Sequence, residues 1–345
     1  MKKHVFFIDP PSRHYLNDKL FDLNDSFLNR DDTLLPFVNL KSHLFKNGIS
    51  LHTADKLSDK NLRGVTNHYW SLGNLDRYKS LLGQFDVKLR GFLVMEPPLV
   101  DSQIYDRLPE LTNIFENVYI HNLVGDGYSM ENINTIKLKK LYWPSPYCKV
   151  ISKWWGRLDR INKLVMIAGN HKPRNNYPEY YSLRINAISE LFQLNAIDLY
   201  GRGWNKFLSR HSLWLPYFRN ILPIIKSYKG SCTSKLEILS KYRFCLCYEN
   251  TPMKGFITEK IMDCFYAGTV PVYLGAPDIN EFIPEDCYVD ARNFSSFEDL
   301  SLYLQLMPIS DWTAFRNAAM NFVQSDAGNR FYCSLINIVK LGDLD

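Results

Sequence analysis

Residues 244–275 read FCLCYENTPMKGFITEKIMDCFYAGTVPVYLG, and this stretch decides the fold. Phe244, Leu246 and Tyr248 alternate with Cys245, Cys247 and Glu249, the two-residue period of a strand. Asn250 to Gly255 carries the Asn, Pro and Gly of a loop. Thr258 is placed to cap a helix whose first turn holds Glu259 and Lys260. Ile261, Met262, Phe265 and Tyr266 then share one apolar helix face, and Gly268 stands where a left-handed residue ends a helix. Val270 to Leu274 is a second apolar strand, closed by Gly275. Strand, helix and strand in so few residues make a right-handed crossover between parallel strands.

Ligands of open parallel sheets bind beyond the carboxyl ends of the strands. That rule gathers Glu249, Asn250, the 251–257 loop and the amino end of the helix into one crevice. A helix amino end offers unpaired N–H groups and partial positive charge, which suit phosphate. Lys260 adds a full positive charge, and Glu259 is an acceptor-only group suited to a pair of sugar hydroxyls. Phosphate donors beside a ribose acceptor are what a nucleotide diphosphate requires.

The same residues resemble glycosyltransferase family 10, the α-1,3/1,4-fucosyltransferases. The likeness is carried by Tyr248-Glu249-Asn250-Thr251, by Gly255-Phe256-Ile257-Thr258-Glu259-Lys260-Ile261, and by Ala267-Gly268-Thr269-Val270-Pro271-Val272-Tyr273-Leu274-Gly275. Order and spacing match throughout, and weaker echoes run from Leu164 to roughly Leu304. Tyr181-Ser182-Leu183-Arg184 and Asp198-Leu199-Tyr200-Gly201-Arg202-Gly203-Trp204 are among them. The resemblance implies an α/β, GT-B-like fold in which two Rossmann-like domains face each other across a cleft. It also implies that Asn170 and Arg184 face the donor together with Glu249, Asn250, Phe256, Thr258, Glu259 and Lys260. Phe256 stands where some relatives have Tyr, so any hydroxyl contact there is missing.

At 345 residues the chain exceeds one ordinary core, which favours two domains. The expected division is 1–150 for the acceptor, 151–325 for the nucleotide sugar, and a terminal helix in 326–345 returning to the first domain. Hydrophobic residues at 46% and charged ones at 22% are globular values. A net charge of +5 fits an anionic substrate or a membrane surface and is too weak to argue for nucleic acid. Seven cysteines without a CxxC pair or zinc spacing suggest a reduced, cytoplasmic protein. Residues 1–11 hold too short an apolar run for a signal peptide, and no run approaches a membrane span. The family's animal members carry an amino-terminal anchor; its absence here suggests a bacterial-type enzyme.

Alternation continues through the first half. Strands are expected at Val5–Ile8, Ile49–Thr53, Phe92–Met95, Val118–Ile120 and Leu138–Trp143, with helices at Phe37–Lys46 and Leu108–Phe115. Residues 149–163, with Trp154 and Trp155, read as a linker. Leu164–Ala168 and Ile197–Tyr200 are strands flanking a helix at Tyr180–Phe192. Tyr288–Val289 is a short strand, and helices follow at Phe297–Leu306, Trp312–Val323 and Arg330–Leu341. No G-x-G-x-x-G or Walker pattern supports hydride or NTPase chemistry. Residues 205–234 interleave Arg210, Arg219, Lys226, Lys229 and Lys235 with Trp214, Tyr217, Phe218 and Tyr228. A solvated loop is the plainest reading. A peripheral contact with anionic head groups on the cytoplasmic face of the inner membrane is the middle one, and nucleic acid comes last.

The resemblance implies fucose transfer from GDP-fucose to a hydroxyl of an oligosaccharide or lipid-linked glycan, with inversion, in surface glycan or lipopolysaccharide biosynthesis. Lys260, Arg184 and the helix amino end would balance the charge on the departing diphosphate without a metal or other cofactor. The sole Asp-x-Asp, Asp343-Leu344-Asp345, is at the extreme end, a poor place for a catalytic metal. Glu96, between a strand and two prolines, is the candidate general base; Asp101, His121 and Asp126 stay open. Plainer roles exist for each residue. Lys260 fits a solvated helix, Glu259 a helix dipole, Asn250 a turn, Arg184 a surface helix and Glu96 a turn cap. Tyr248, Phe265, Tyr266 and the cysteines fit the core. Two other functions stay open: a GT-B transferase using another GDP-sugar, and a non-catalytic carbohydrate-binding protein on a degenerate transferase fold.

Overall fold

The computed structural model describes residues 3–57, 65–207 and 213–339. The chain forms two compact units. One comprises Met1–Pro146 together with Arg330–Asp345, and the other comprises Tyr147–Asn329. The boundary thus falls four residues before 150. Among the described residues no helix is long and apolar enough to cross a membrane.

The first unit is built on six strands: β1 (Lys3–Asp9), β2 (Ser50–Thr53), β3 (Val65–Ser71), β4 (Val87–Leu93), β5 (Asn117–Ile120) and β6 (Leu138–Lys140). Their order is β2-β1-β3-β4-β5-β6, with every pair parallel. Helices α1 (Leu35–Lys46), α2 (Ser102–Asp106) and α3 (Leu108–Ile114) connect strands, the crossover that parallel pairing demands. Phe6 and Ile8 pack on one face with Leu40 and Leu44 of α1, while Tyr69 and Phe92 pack on the other with Leu108 and Leu111 of α3. Burial on both faces is why these strands read as apolar runs.

β3 is the strand that sequence reasoning missed. Its VTNHYWS has no apolar run, yet Asn67 to Ser71 are all buried. Its buried histidine is satisfied across the sheet: Arg90 Nε donates to His68 Nδ1 at 2.8 Å, and His68 Nε2 meets His4 Nδ1 at 2.9 Å. The strand expected to reach Trp143 ends at Lys140.

The second unit holds β7 (Ile161–Ile167), β8 (Ile197–Tyr200), β9 (Tyr242–Tyr248), β10 (Val270–Leu274) and β11 (Val289–Asp290). These are also all parallel, in the order β11-β10-β9-β7-β8. Its helices are α4 (Ser152–Trp155), α5 (Tyr181–Gln193), α6 (Leu215–Arg219), α7 (Ile221–Ser227), α8 (Lys235–Leu239), α9 (Glu259–Ala267), α10 (Phe297–Leu306) and α11 (Ile309–Val323). Gly268 ends α9 at φ +70, as a left-handed cap.

Two expectations are corrected here. Residues 149–163 are packed structure rather than a linker. The Ile151 N–H donates to the Tyr266 carbonyl at 3.1 Å, and Arg160 Nη2 reaches the carbonyls of Trp154 and Ala267 at 2.8 Å each. The Arg316 guanidinium stacks between Trp155 and Trp312, 4.5 and 4.4 Å from their ring centres. The terminal helix is two helices broken at Cys333, α12 (Asp326–Tyr332) and α13 (Ser334–Ile338). Leu335 and Val339 lie in the core of the first unit beside Phe6 and Ile8. Residues 340 and 341, expected within this helix, and Asp343-Leu344-Asp345 lie outside the described residues.

Candidate active site

Sheet order locates the candidate site. In the second unit β9 pairs with β10 on one side and with β7 on the other, and β8 lies beyond β7. The strand order therefore reverses between β7 and β9, the switch point where doubly wound sheets open a crevice. Asn170 follows β7, Glu249 and Asn250 follow β9, and the amino end of α9 faces them.

Tyr248 and Asn250 fix Arg184. The residue is buried, and its Nη2 donates to the Tyr248 carbonyl at 2.6 Å and to Asn250 Oδ1 at 3.0 Å. Its guanidinium lies 5.3 Å from the Tyr181 ring centre. Nε has no hydrogen-bond partner among the described residues. Burial lowers the Arg184 pKa, and Tyr181, Glu249, Cys247 and Glu179 oppose that shift. Asn250 also accepts the Tyr180 N–H on its carbonyl at 2.9 Å, and the Thr251 hydroxyl donates to the Pro178 carbonyl at 2.7 Å. The loop after β9 is thus tied to the start of α5. Asn170 is buried; its N–H donates to the Arg202 carbonyl at 2.9 Å and its Nδ2 to the Gly203 carbonyl at 3.3 Å.

Glu249 differs most from expectation. It is fully enclosed, at 0% exposure, and offers no surface to a donor. Oε1 accepts the Thr258 N–H at 2.9 Å and the Thr258 hydroxyl at 2.8 Å, while Oε2 accepts Lys260 Nζ at 2.7 Å. Lys260 Nζ also lies 2.9 Å from Thr258 Oγ1. Thr258 is the N-cap of α9 by position, but its hydroxyl serves Glu249 instead of the helix. Glu249 acts by positioning: it holds the first turn of α9 and aims the lysine. Phe256 is likewise enclosed, at 1% exposure.

An ammonium carries three donors. Two on Lys260 are spent on Glu249 and Thr258, and the side chain stays 26% exposed, so the third is left for a ligand. Burial is the largest influence on Lys260 and would lower its pKa; Glu249 and Glu259 together outweigh it, leaving the pKa raised. Burial alone would raise the Glu259 pKa; Lys260 and Lys235 reverse this and hold it low. Both groups are therefore ionised near neutrality. The formal charges of Arg184, Glu249, Glu259 and Lys260 cancel, so the bare site carries no net charge from these four groups.

Close packing enforces the arrangement from behind. A Cβ on Gly275 would come within 2.3 Å of Tyr273 Oη and 2.6 Å of Glu249 Cγ. The Tyr273 hydroxyl cannot yield, because it accepts the Ala276 N–H at 3.0 Å inside the core. Sequence reasoning also missed Asp278, whose Oδ1 takes the Gly255 N–H at 2.8 Å. It missed Arg292 too, which follows β11, pairs with Asp290 at 2.6 Å and donates to the Pro277 carbonyl at 2.9 Å. A charge placed directly after a short strand was the available signal for Arg292.

In the first unit the order reverses between β1 and β3, where Asp9 and Ser71 are in register. Asp9 is fully buried; Tyr69 Oη donates to it at 2.6 Å and Arg77 Nε at 3.1 Å. Burial raises its pKa against both partners. An Asp at the end of an apolar strand, just before two prolines, was legible in the sequence and passed over. Glu96 lies exposed in the loop after β4, and its backbone is pinned by Tyr105 Oη on its carbonyl at 2.9 Å. His121 is buried, with Nε2 2.8 Å from the Met95 carbonyl; burial and Lys140 lower its pKa to about 3. Enclosed and poorly basic, it drops out as a general base. Asp101 is the N-cap of α2, and the Asp126 N–H is held by Asn122 Oδ1 at 3.0 Å.

Two Rossmann-like units of parallel strands, with a charged loop-and-helix site at the switch point of the second, define the GT-B class of glycosyltransferase folds. A solved glycosyltransferase from Rickettsia africae superposes over 100% of both chains, with a TM-score of 0.54 at 12% identity. Residues 162–317 match the model of the C-terminal part of glycosyltransferase family 10 (fucosyltransferase). An α-(1,3)-fucosyltransferase from Helicobacter pylori is 35% identical over 74 residues, which is 21% of this chain and 16% of that protein. An α-(1,4)-fucosyltransferase from Arabidopsis thaliana is 31% identical over 87 residues, 24% of this chain and 22% of its own. The chain thus matches less than a quarter of these two relatives' lengths.

Proposed function

We propose that this protein transfers fucose from GDP-fucose to a hydroxyl of a glycan acceptor, with inversion. The observation that carries this reading is Arg184 beside Lys260. One is a buried guanidinium with an unpartnered Nε, and the other is an ammonium with one donor left over, at the amino end of a helix. Lys260 suits the departing diphosphate by contact and Arg184 by its charge behind the loop, and both effects strengthen as negative charge builds on it. The names of the fucosyltransferase relatives supply the sugar. Fixed cations do here what a divalent metal does elsewhere, so the reaction is proposed to need none. Glu96 of the first unit is the proposed base that takes the acceptor proton. Surface glycan or lipopolysaccharide synthesis in a reducing, cytoplasmic setting is the proposed context, consistent with seven free thiols.

Calorimetry tests the donor assignment. GDP should bind, and UDP should bind much more weakly or not at all. Equal affinities would remove the GDP-sugar assignment while leaving the fold and family intact. Incubation with GDP-fucose and a panel of oligosaccharides, read by mass spectrometry, should show addition of one deoxyhexose.

A further inference from the structure

From Leu199 to Leu236 the sequence holds seven Lys or Arg residues and no Asp or Glu. The chain as a whole is nearly balanced, with 41 basic and 36 acidic residues, so this run is a local excess. Arg210 and the rest of 208–212 lie outside the described residues; α6 and α7 follow directly. Their inner side is ordinary core. Tyr217 and Ile224 are fully buried, and the segment covers β8, where the Lys229 N–H donates to the Leu199 carbonyl at 2.8 Å.

The outer side is unusual. Leu215 and Phe218 on α6, and Leu222 and Ile225 on α7, are each three residues apart, which sets each pair on one side of its helix. They are 58%, 43%, 66% and 43% exposed, where a surface helix ordinarily turns polar residues to water. Phe207 and Leu213 are exposed beside them in sequence. Arg219 and Lys226 follow Phe218 and Ile225 directly, are exposed, and have no ion-pair partner among the described residues.

We propose that the outer sides of α6 and α7 dock on an anionic lipid bilayer surface, with Leu215, Phe218, Leu222 and Ile225 entering the head-group boundary and Arg219 and Lys226 contacting lipid phosphates. Aliphatic side chains flanked by cations are what such an interface takes up. A nucleic acid would leave the aliphatic stripe in water, since it binds through phosphate contacts and aromatic stacking. A second copy would bring two basic segments, each without an acid of its own, together, and two-fold contacts repeat every like-charge clash. The inference rests on this surface alone and needs no assumption about the donor.

Flotation of the full chain with lipid vesicles tests it. Vesicles of phosphatidylcholine mixed with phosphatidylglycerol should carry the protein; pure phosphatidylcholine should not. The Leu222→Ser, Ile225→Ser double variant should lose about tenfold or more in vesicle affinity, and so should Arg219→Glu with Lys226→Glu. The substituted side chains are exposed, so unchanged circular dichroism and melting temperature are expected alongside. Failure to float on anionic vesicles overturns the proposal. So does flotation unaffected by either double variant, or a concentration-dependent dimer abolished by Leu222→Ser.

Discussion

Lys260 illustrates why a motif residue cannot be probed in isolation. Its ammonium neutralises Glu249, which has no exposed surface and, among the described residues, no other cation bonded to it. Lys260→Ala strands that carboxylate, so we expect it to cost about 3 kcal/mol of stability, at the low end for a broken buried pair because Lys260 keeps partial exposure. Urea unfolding measures this. Adding Glu249→Gln should restore most of the lost stability and leave GDP affinity weak, since the phosphate contact is still missing. If the double variant binds GDP normally, the lysine holds the fold and does not touch the donor. Glu96→Gln is a cleaner test of chemistry, being exposed and in the other unit. It should leave GDP affinity unchanged and reduce turnover by ~100-fold or more; near-normal turnover would move the search for the base to Asp101 and Asp126.

At the level of elements, the site is a strand end and a helix start held at fixed separation by the β10 turn behind them. Gly275→Ala should therefore act on the site through packing. Its Cβ must displace either Tyr273 or Glu249, neither of which has room, for a cost of about 1–3 kcal/mol. Thermal unfolding with and without GDP should show a lower melting point and a smaller stabilisation by the ligand. A variant that melts as the parent does would mean that the β10 turn is softer than its contacts indicate. α9 itself was readable from sequence because its period, cap position and terminal glycine are local. β3 was not, because its polar residues become strand residues only when β1 and β4 supply their partners.

The whole molecule has two cores and a chain that leaves the first unit at 146 and re-enters it at 330. Leu335→Ala should destabilise the first unit by about 2–4 kcal/mol, although it lies near the end of the sequence. A fully tolerated substitution would deny α13 its place in that core. Two buried histidines set the acid limit. Burial and nearby cations hold both His68 and His121 at a pKa of about 3. Arg90 Nε–H points at His68 Nδ1, which must therefore be unprotonated. The unfolded chain takes up these protons from about pH 6.5 downward while the folded one does not. Stability should accordingly fall as pH drops from 6.5 toward 3, by up to about 1.4 kcal/mol per pH unit for each histidine. Urea midpoints between about pH 7 and pH 5 check the slope, and His68→Gln should flatten it. Activity should survive EDTA; complete loss restored by Mn²⁺ would overturn the metal-free mechanism.

The 244–275 stretch determined a great deal without help. Its strand, loop, helix and strand follow from local periods and caps, and its parallel crossover follows from chain handedness. That Lys260, Glu259 and Arg184 come together at one strand end was equally legible, since sheet order only had to bring their loops together. How each group is held there was decided by tertiary structure. Glu249 became a buried anchor because Thr258 and Lys260 close over it, and Arg184 became an inward guanidinium because the Tyr248 carbonyl, 64 residues on, meets it. Asp9, β3 and the return of α13 belong to the same category. A sequence pattern records which face of an element is apolar. Whether a charge or a polar strand is enclosed, and by what partner, depends on segments far away in the chain, and only the folded arrangement brings them into contact.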